Sequence, residues 1–84
     1  MPPVTVTLIG KPGCHLCDDA RAVIDEVLRG REGVQLVERS ILDDTELHTR
    51  YWDEIPVVLI DETVHTIYRV DAERLRAALA ERGH

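Results

Sequence analysis

The stretch Gly10-Lys11-Pro12-Gly13-Cys14-His15-Leu16-Cys17 decides how the rest of the chain is read, because it joins a strand to a helix and carries both cysteines at the join. Ahead of it, Val4 to Ile9 mixes β-branched residues with Leu8 and runs into Gly10, Pro12 and Gly13, as a short strand entering a turn does. Behind it, Leu16, Ala20, Val23, Ile24, Val27 and Leu28 form an apolar stripe at spacings of three and four that closes near Gly30 and Gly33. The pair therefore opens a helix. Cys14 stands at the exposed first turn and Cys17 one turn further in, near enough to bridge.

Further along, Val34 to Ile41 reads as a second strand, with Val34, Leu36, Val37 and Ile41 apolar but not cleanly alternating. Asp43 and Asp44 are placed to cap a short helix from Thr45 to Trp52. Ile55-Pro56 interrupts that helix and opens Val57-Val58-Leu59-Ile60, a buried strand. Asp61 to Thr63 turns the chain, and Val64 to Val70 pairs back with Val64, Thr66, Tyr68 and Val70 on one face. Asp71 caps a last helix, Ala72 to Arg82, which ends at Gly83. The expected order is β-α-β-α-β-β-α. A right-handed β-α-β crossover followed by an antiparallel hairpin makes a four-stranded mixed sheet flanked by helices.

Eighty-four residues with 44% hydrophobic content suit one domain spanning the chain. The net charge of -6 repels phosphate backbones and anionic lipid, so neither nucleic acid nor membrane is an expected partner. No apolar run reaches the roughly 18 residues of a spanning helix, and Met1 to Ile9 lacks the form of a signal peptide, which points to the cytoplasm. Two cysteines are too few for a disulfide scaffold, and a close pair in a reducing compartment is catalytic or metal-binding.

Helix-start N-H groups and the dipole favour a thiolate at Cys14; cysteines in such positions ionise at about 3.5 to 7.5. Cys14 is then the nucleophile and Cys17 the resolving thiol that attacks the Cys14 sulfur in a mixed disulfide. The same two thiolates suit half of a zinc site, completed from His48, His65, His84 or carboxylates, or an iron-sulfur cluster shared by two chains. Tyr51 and Trp52, just ahead of Ile55-Pro56, either flank the thiols or fill the core.

Strand, Lys-x-x-Cys-x-x-Cys opening a helix, Ile-Pro before an apolar strand and Asp opening the last helix together resemble the thioredoxin superfamily, and most closely its small glutaredoxin-like proteins. The resemblance spans essentially the whole chain. It implies the thioredoxin fold and a thiol-disulfide oxidoreductase that reduces protein or low-molecular-weight disulfides; such chemistry requires no metal or bound organic cofactor, and a monomer is expected. It implies a cis Pro56 facing Cys14, with Ile55 offering its backbone to an extended substrate. It also matches Lys11 and Asp71 to residues that contact the two ends of glutathione; without it, Lys11 is a solvated turn residue and Asp71 a helix cap. Tyr68-Arg69 stand where glutaredoxins carry Gly-Gly, and His15-Leu16 where they carry Pro-Tyr. The electron donor is accordingly glutathione, another low-molecular-weight thiol, or a flavoprotein reductase, and the alternative is a metal- or iron-sulfur carrier. His15, beside Cys14, is placed to attract its thiolate. A potential above the roughly -270 mV of thioredoxin is expected, and His15→Pro should lower it; redox titration against thiol buffers checks this, and an unchanged midpoint removes His15 from the account.

Overall fold

The computed structural model describes residues 3–83. Met1 and His84, which enter the leader and zinc readings, lie outside the described residues. The elements are β1 (Val4–Gly10), α1 (His15–Leu28), β2 (Val34–Ser40), α2 (Thr45–Tyr51), β3 (Val57–Ile60), β4 (Thr63–Ile67) and α3 (Ala72–Glu81). The sheet order is β2-β1-β3-β4, with β1 and β2 parallel and the other two pairs antiparallel. This is the expected thioredoxin fold, in the expected order.

As an inner strand, β1 is covered on both faces. Val4, Val6 and Leu8 pack with Ala20, Ile24 and Val27 of α1 and with Leu75 and Leu79 of α3. Ile9 joins Ile41, Tyr51 and Val57 in a smaller cluster. The imbalance follows from helix length: α1 has 14 residues and α3 has 10, whereas α2 has 7, about 10 Å of cylinder. A helix that short covers only part of a sheet face.

Side chains fix where the helices begin. Asp44 Oδ1 accepts from the amides of Glu46 and Leu47 at 2.9 and 3.3 Å, so the second of the paired aspartates is the cap of α2. Asp71 Oδ1 accepts from Arg74 N at 3.0 Å at the start of α3. At the far end of the sheet, Asp61 joins the two ends of the described chain. Its amide donates to Thr5 O at 2.7 Å, its Oδ1 accepts from Thr5 N at 3.1 Å, and its Oδ2 accepts from the Arg82 guanidinium at 2.8 Å.

Three elements differ from their expected form. β2 stops at Ser40 and Ile41 turns into the smaller core cluster, although its amide still donates to Gly10 O at 2.9 Å. α2 ends at Tyr51, which is buried, while Trp52 is 59% exposed, so one aromatic of the pair fills the core and the other stands in solvent. β4 is shorter than the expected Val64 to Val70. Val58 pairs with Thr66 and Leu59 with Val64, which leaves His65 as an extra residue in β4. One extra residue reverses which face each side chain takes, so the expected face of Val64, Thr66, Tyr68 and Val70 does not form. Burial, and after it the charge of Arg74, holds the His65 imidazole below its ordinary pKa.

No described helix is long and apolar enough to cross a membrane. Leu79 is fully buried against β1 and α1, whereas Leu42 is 65% exposed. Leu79→Ala should cost about 2 to 5 kcal/mol in urea unfolding and Leu42→Ala less than about 0.5 kcal/mol. Equal losses at the two sites would contradict this core.

Candidate functional site

Cys14 is the N-cap of α1, with extended φ and ψ of -92° and 111°. Its Sγ accepts from the Cys17 amide at 3.2 Å, one of the helix-start N-H groups with no partner inside the helix. Cys14 is partly exposed and Cys17 only 3% exposed. The two are joined as a disulfide, with their Cα atoms 5.2 Å apart. One sulfur is thus open to solvent and its neighbour sits one turn inside, at bonding reach.

Two glycines make the arrangement fit. A side chain at Gly10 would place its Cβ 2.7 Å from Cys17 Sγ, closer than real Cβ atoms come, and 3.1 Å from Cys17 Cβ, a tight contact. Gly13 has φ +76° and nothing within 4 Å of a hypothetical Cβ, so it is needed for the left-handed turn that delivers Cys14 rather than for space. In the sequence both glycines read only as turn residues. The crowding at Gly10 has no sequence signal beyond the residue itself.

The Ile55-Pro56 peptide is cis, as the resemblance implied. Val57 pairs with Ile9, so Pro56 lies level with the end of β1, where the chain departs toward Cys14. Pro56 is fully buried and Ile55 partly exposed. Tyr68, from the other side of β3, donates its amide to Pro56 O at 2.8 Å and its hydroxyl to Asp53 O at 3.1 Å. It does so at φ +68°, with the Arg69 amide donating to Ile67 O at 2.8 Å across it. That is the rarer form of γ-turn, costly for any residue with a side chain by about 1 to 3 kcal/mol.

Two cavities lie near the cysteine turn, one lined by Cys17 and the other by Leu16. One, of about 280 Å³, lies toward β2 and is lined among others by Lys11, Cys17, Arg21, Glu38 and Asp43. Arg21 pairs there with Glu38 at 2.5 Å and with Asp18 at 3.2 Å, and those carboxylates, Glu38 foremost, hold its guanidinium above its ordinary pKa. The other, of about 240 Å³, is a largely apolar groove between α1 and the β4–α3 turn, lined by Leu16, Asp19, Val23, Tyr68, Arg69 and Val70. Lys11 borders the first; Asp71 borders neither, but a third cavity of about 470 Å³ with Arg69 and Arg74. The two residues matched to the ends of glutathione thus share no cavity. Among the described residues, no three His, Cys, Asp or Glu side chains gather as a metal site.

Gly10→Ala separates the packing argument from propensity. An alanine that fits its backbone conformation stabilises by about 0.4 to 1 kcal/mol through the unfolded chain, whereas one driven against Cys17 costs about 1 to 3 kcal/mol. Thermal unfolding of the oxidised protein should show the loss, and a stabilised variant would mean that the Cys17 side chain has room to move.

The comparisons with known proteins agree with this geometry. The family model described as Glutaredoxin-like domain (DUF836) matches residues 5–80. No curated protein matches the chain. Among solved structures, the protein XcR50 from X. campestris is 32% identical, over 90% of this chain and 96% of its own, with a TM-score of 0.71. Protein Ne2328 from Nitrosomonas europaea is 22% identical, over 93% of both chains, with a TM-score of 0.77. Thioredoxin-2 of the malaria parasite, described as a component of its protein secretion machinery, is 15% identical over 94% of this chain and 82% of its own, with a TM-score of 0.70. The last two are likenesses of fold. The family match over residues 5–80 and the identity to XcR50 lead to one conclusion: the chain belongs to the glutaredoxin-like domain family.

Proposed function

We propose that the protein is a thiol-disulfide oxidoreductase that reduces protein or low-molecular-weight disulfides through Cys14 and Cys17. The observation that carries this is the unequal exposure of two bridged sulfurs at one helix start, with Cys14 reachable and Cys17 withdrawn. The Cys17 amide, aimed at Cys14 Sγ, is a donor that favours the negative charge of a thiolate there.

In the reduced protein the Cys14 thiolate attacks one sulfur of a substrate disulfide. That S-S bond breaks, the departing thiolate takes a proton from solvent, and the remaining half is held on Cys14 as a mixed disulfide. Cys17, having lost its proton, attacks Cys14 Sγ, the second substrate thiolate leaves and is protonated, and the Cys14-Cys17 disulfide forms. Two electrons pass from the dithiol to the substrate. A donor dithiol, or two molecules of a low-molecular-weight thiol such as glutathione, restores the reduced state by the reverse exchanges; a flavoprotein reductase is the other donor class. The cavity beside Cys17 supplies solvent for its proton. The backbone of partly exposed Ile55 is the rest for an extended substrate. Such a reductase suits a reducing compartment such as the cytoplasm.

Maleimide titration across pH on the wild type and on Cys14→Ser and Cys17→Ser, with mass spectrometry for metal, tests the assignment. A thiol of lowered pKa that disappears with Cys14, and a disulfide reductase rate lost by at least about a hundred-fold in Cys14→Ser but retained in part for single-thiol exchange in Cys17→Ser, are expected. Thiols of ordinary pKa, or thiols shielded by bound zinc or an iron-sulfur cluster, would transfer the protein to the carrier class.

A further inference from the structure

We propose that Tyr68 is a positioning residue, holding the Ile55-Pro56 substrate rest in shape for an extended polypeptide disulfide; this builds on the reductase reading above. The argument begins from backbone geometry. At φ +68° Tyr68 occupies a conformation that glycine adopts freely and a bulky aromatic rarely does. Strain of this kind persists only where the surroundings hold it, and it collects at functional sites.

What holds it is a pair of hydrogen bonds to one loop. The Tyr68 amide donates to Pro56 O at 2.8 Å and the phenol donates to Asp53 O at 3.1 Å, so a single residue takes hold of the loop at both ends of Asp53 to Pro56. Inside the loop the Glu54 amide returns to Tyr51 O at 2.8 Å, which ties the α2 end into the same unit. Ile55, between the two grips, is partly exposed, and on the reductase reading its backbone is the rest for an extended substrate. Tyr68 is 47% exposed and so contributes little to the core; its ring lines the groove that also holds Leu16, the residue between the cysteines.

The consequence is selective. A polypeptide that pairs with the Ile55 backbone gains from a loop already in its bound shape, because ordering it on binding would subtract from affinity. A small disulfide with no backbone to pair has no use for the loop. Loss of one grip should therefore fall on peptide substrates and spare small ones.

The test is single-turnover reduction by the reduced protein of two probes, an extended peptide whose one cysteine is in mixed disulfide with 2-mercaptoethanol, and 2-hydroxyethyl disulfide. Tyr68→Phe removes only the phenol hydroxyl; Tyr68→Gly removes the side chain and relieves the backbone. Both should lower the second-order rate constant for the peptide by about two- to ten-fold, the worth of one neutral hydrogen bond, with less than about a two-fold change for the small disulfide. Amide hydrogen exchange at residue 68 and at Glu54 should quicken in Tyr68→Phe. Equal losses on the two probes, no loss on the peptide, or unchanged exchange would overturn the proposal. A wild-type protein that reduces neither probe would overturn the reductase reading itself, which is a distinct result because the exchange measurement does not depend on turnover.

Discussion

Cys17 lies buried because the last residue of β1 has no side chain. The sulfur of Cys17 occupies the space that a Cβ on Gly10 would take, so the first turn of α1 settles directly on the end of the strand it has just left. Much follows from that seating. It sets the height of Cys14 above the sheet, and it aims the stripe Ala20, Ile24 and Val27 along Val4, Val6 and Leu8. It also leaves the cap position to Cys14, whose sulfur receives the otherwise idle amide of Cys17. A helix displaced outward to accommodate a larger residue would lose contacts along its whole buried stripe, since interiors at native density offer little slack.

The two flanks of the dithiol are chemically unlike. Toward β2 the wall is charged, with Arg21 shared between Asp18 and Glu38 and Lys11 beside them. Toward the β4–α3 turn the wall is Leu16, Val23, Val70 and the ring of Tyr68, with Arg69 and Asp19 at its edge. The first flank, beside the withdrawn sulfur, is polar; the second, beside Leu16 between the two cysteines, is largely apolar. Most of the surface charge pairs are too exposed to add much stability.

Legibility in the sequence followed how local each constraint is. The helix after Cys14, the cap at Asp71 and the strand after Pro56 are written in residues a few positions apart, and all three appear where expected. The element order is the sum of such local signals. β4 is shorter than its pattern suggests: its apolar and polar residues alternate well enough for a longer strand, while the extra residue His65 is set by the pairing with β3, a partner no local pattern reveals. Tyr51 and Trp52 could not be told apart for a similar reason, since the side that α2 turns to the sheet decides which is covered. In the site, the cysteines and Ile55-Pro56 were visible as motifs. The crowding at Gly10 was not, because it depends on how closely the first turn of α1 sits on the end of β1, and the double grip of Tyr68 was not, because it joins segments distant in sequence through an unusual backbone angle.

Asp61, at the opposite pole of the sheet, has a bearing on how this domain can be attached to anything else. By holding Thr5 and Arg82 on one side chain, it brings the first strand and the last helix to a common corner. That corner is the starting end of β1, and the six steps from Val4 to Gly10 put about 20 Å of strand between it and the turn that carries the cysteines. A fusion partner or surface tether that leaves the fold ahead of Thr5 or beyond Arg82 would depart from the same corner, at the far end of β1 from the cysteines.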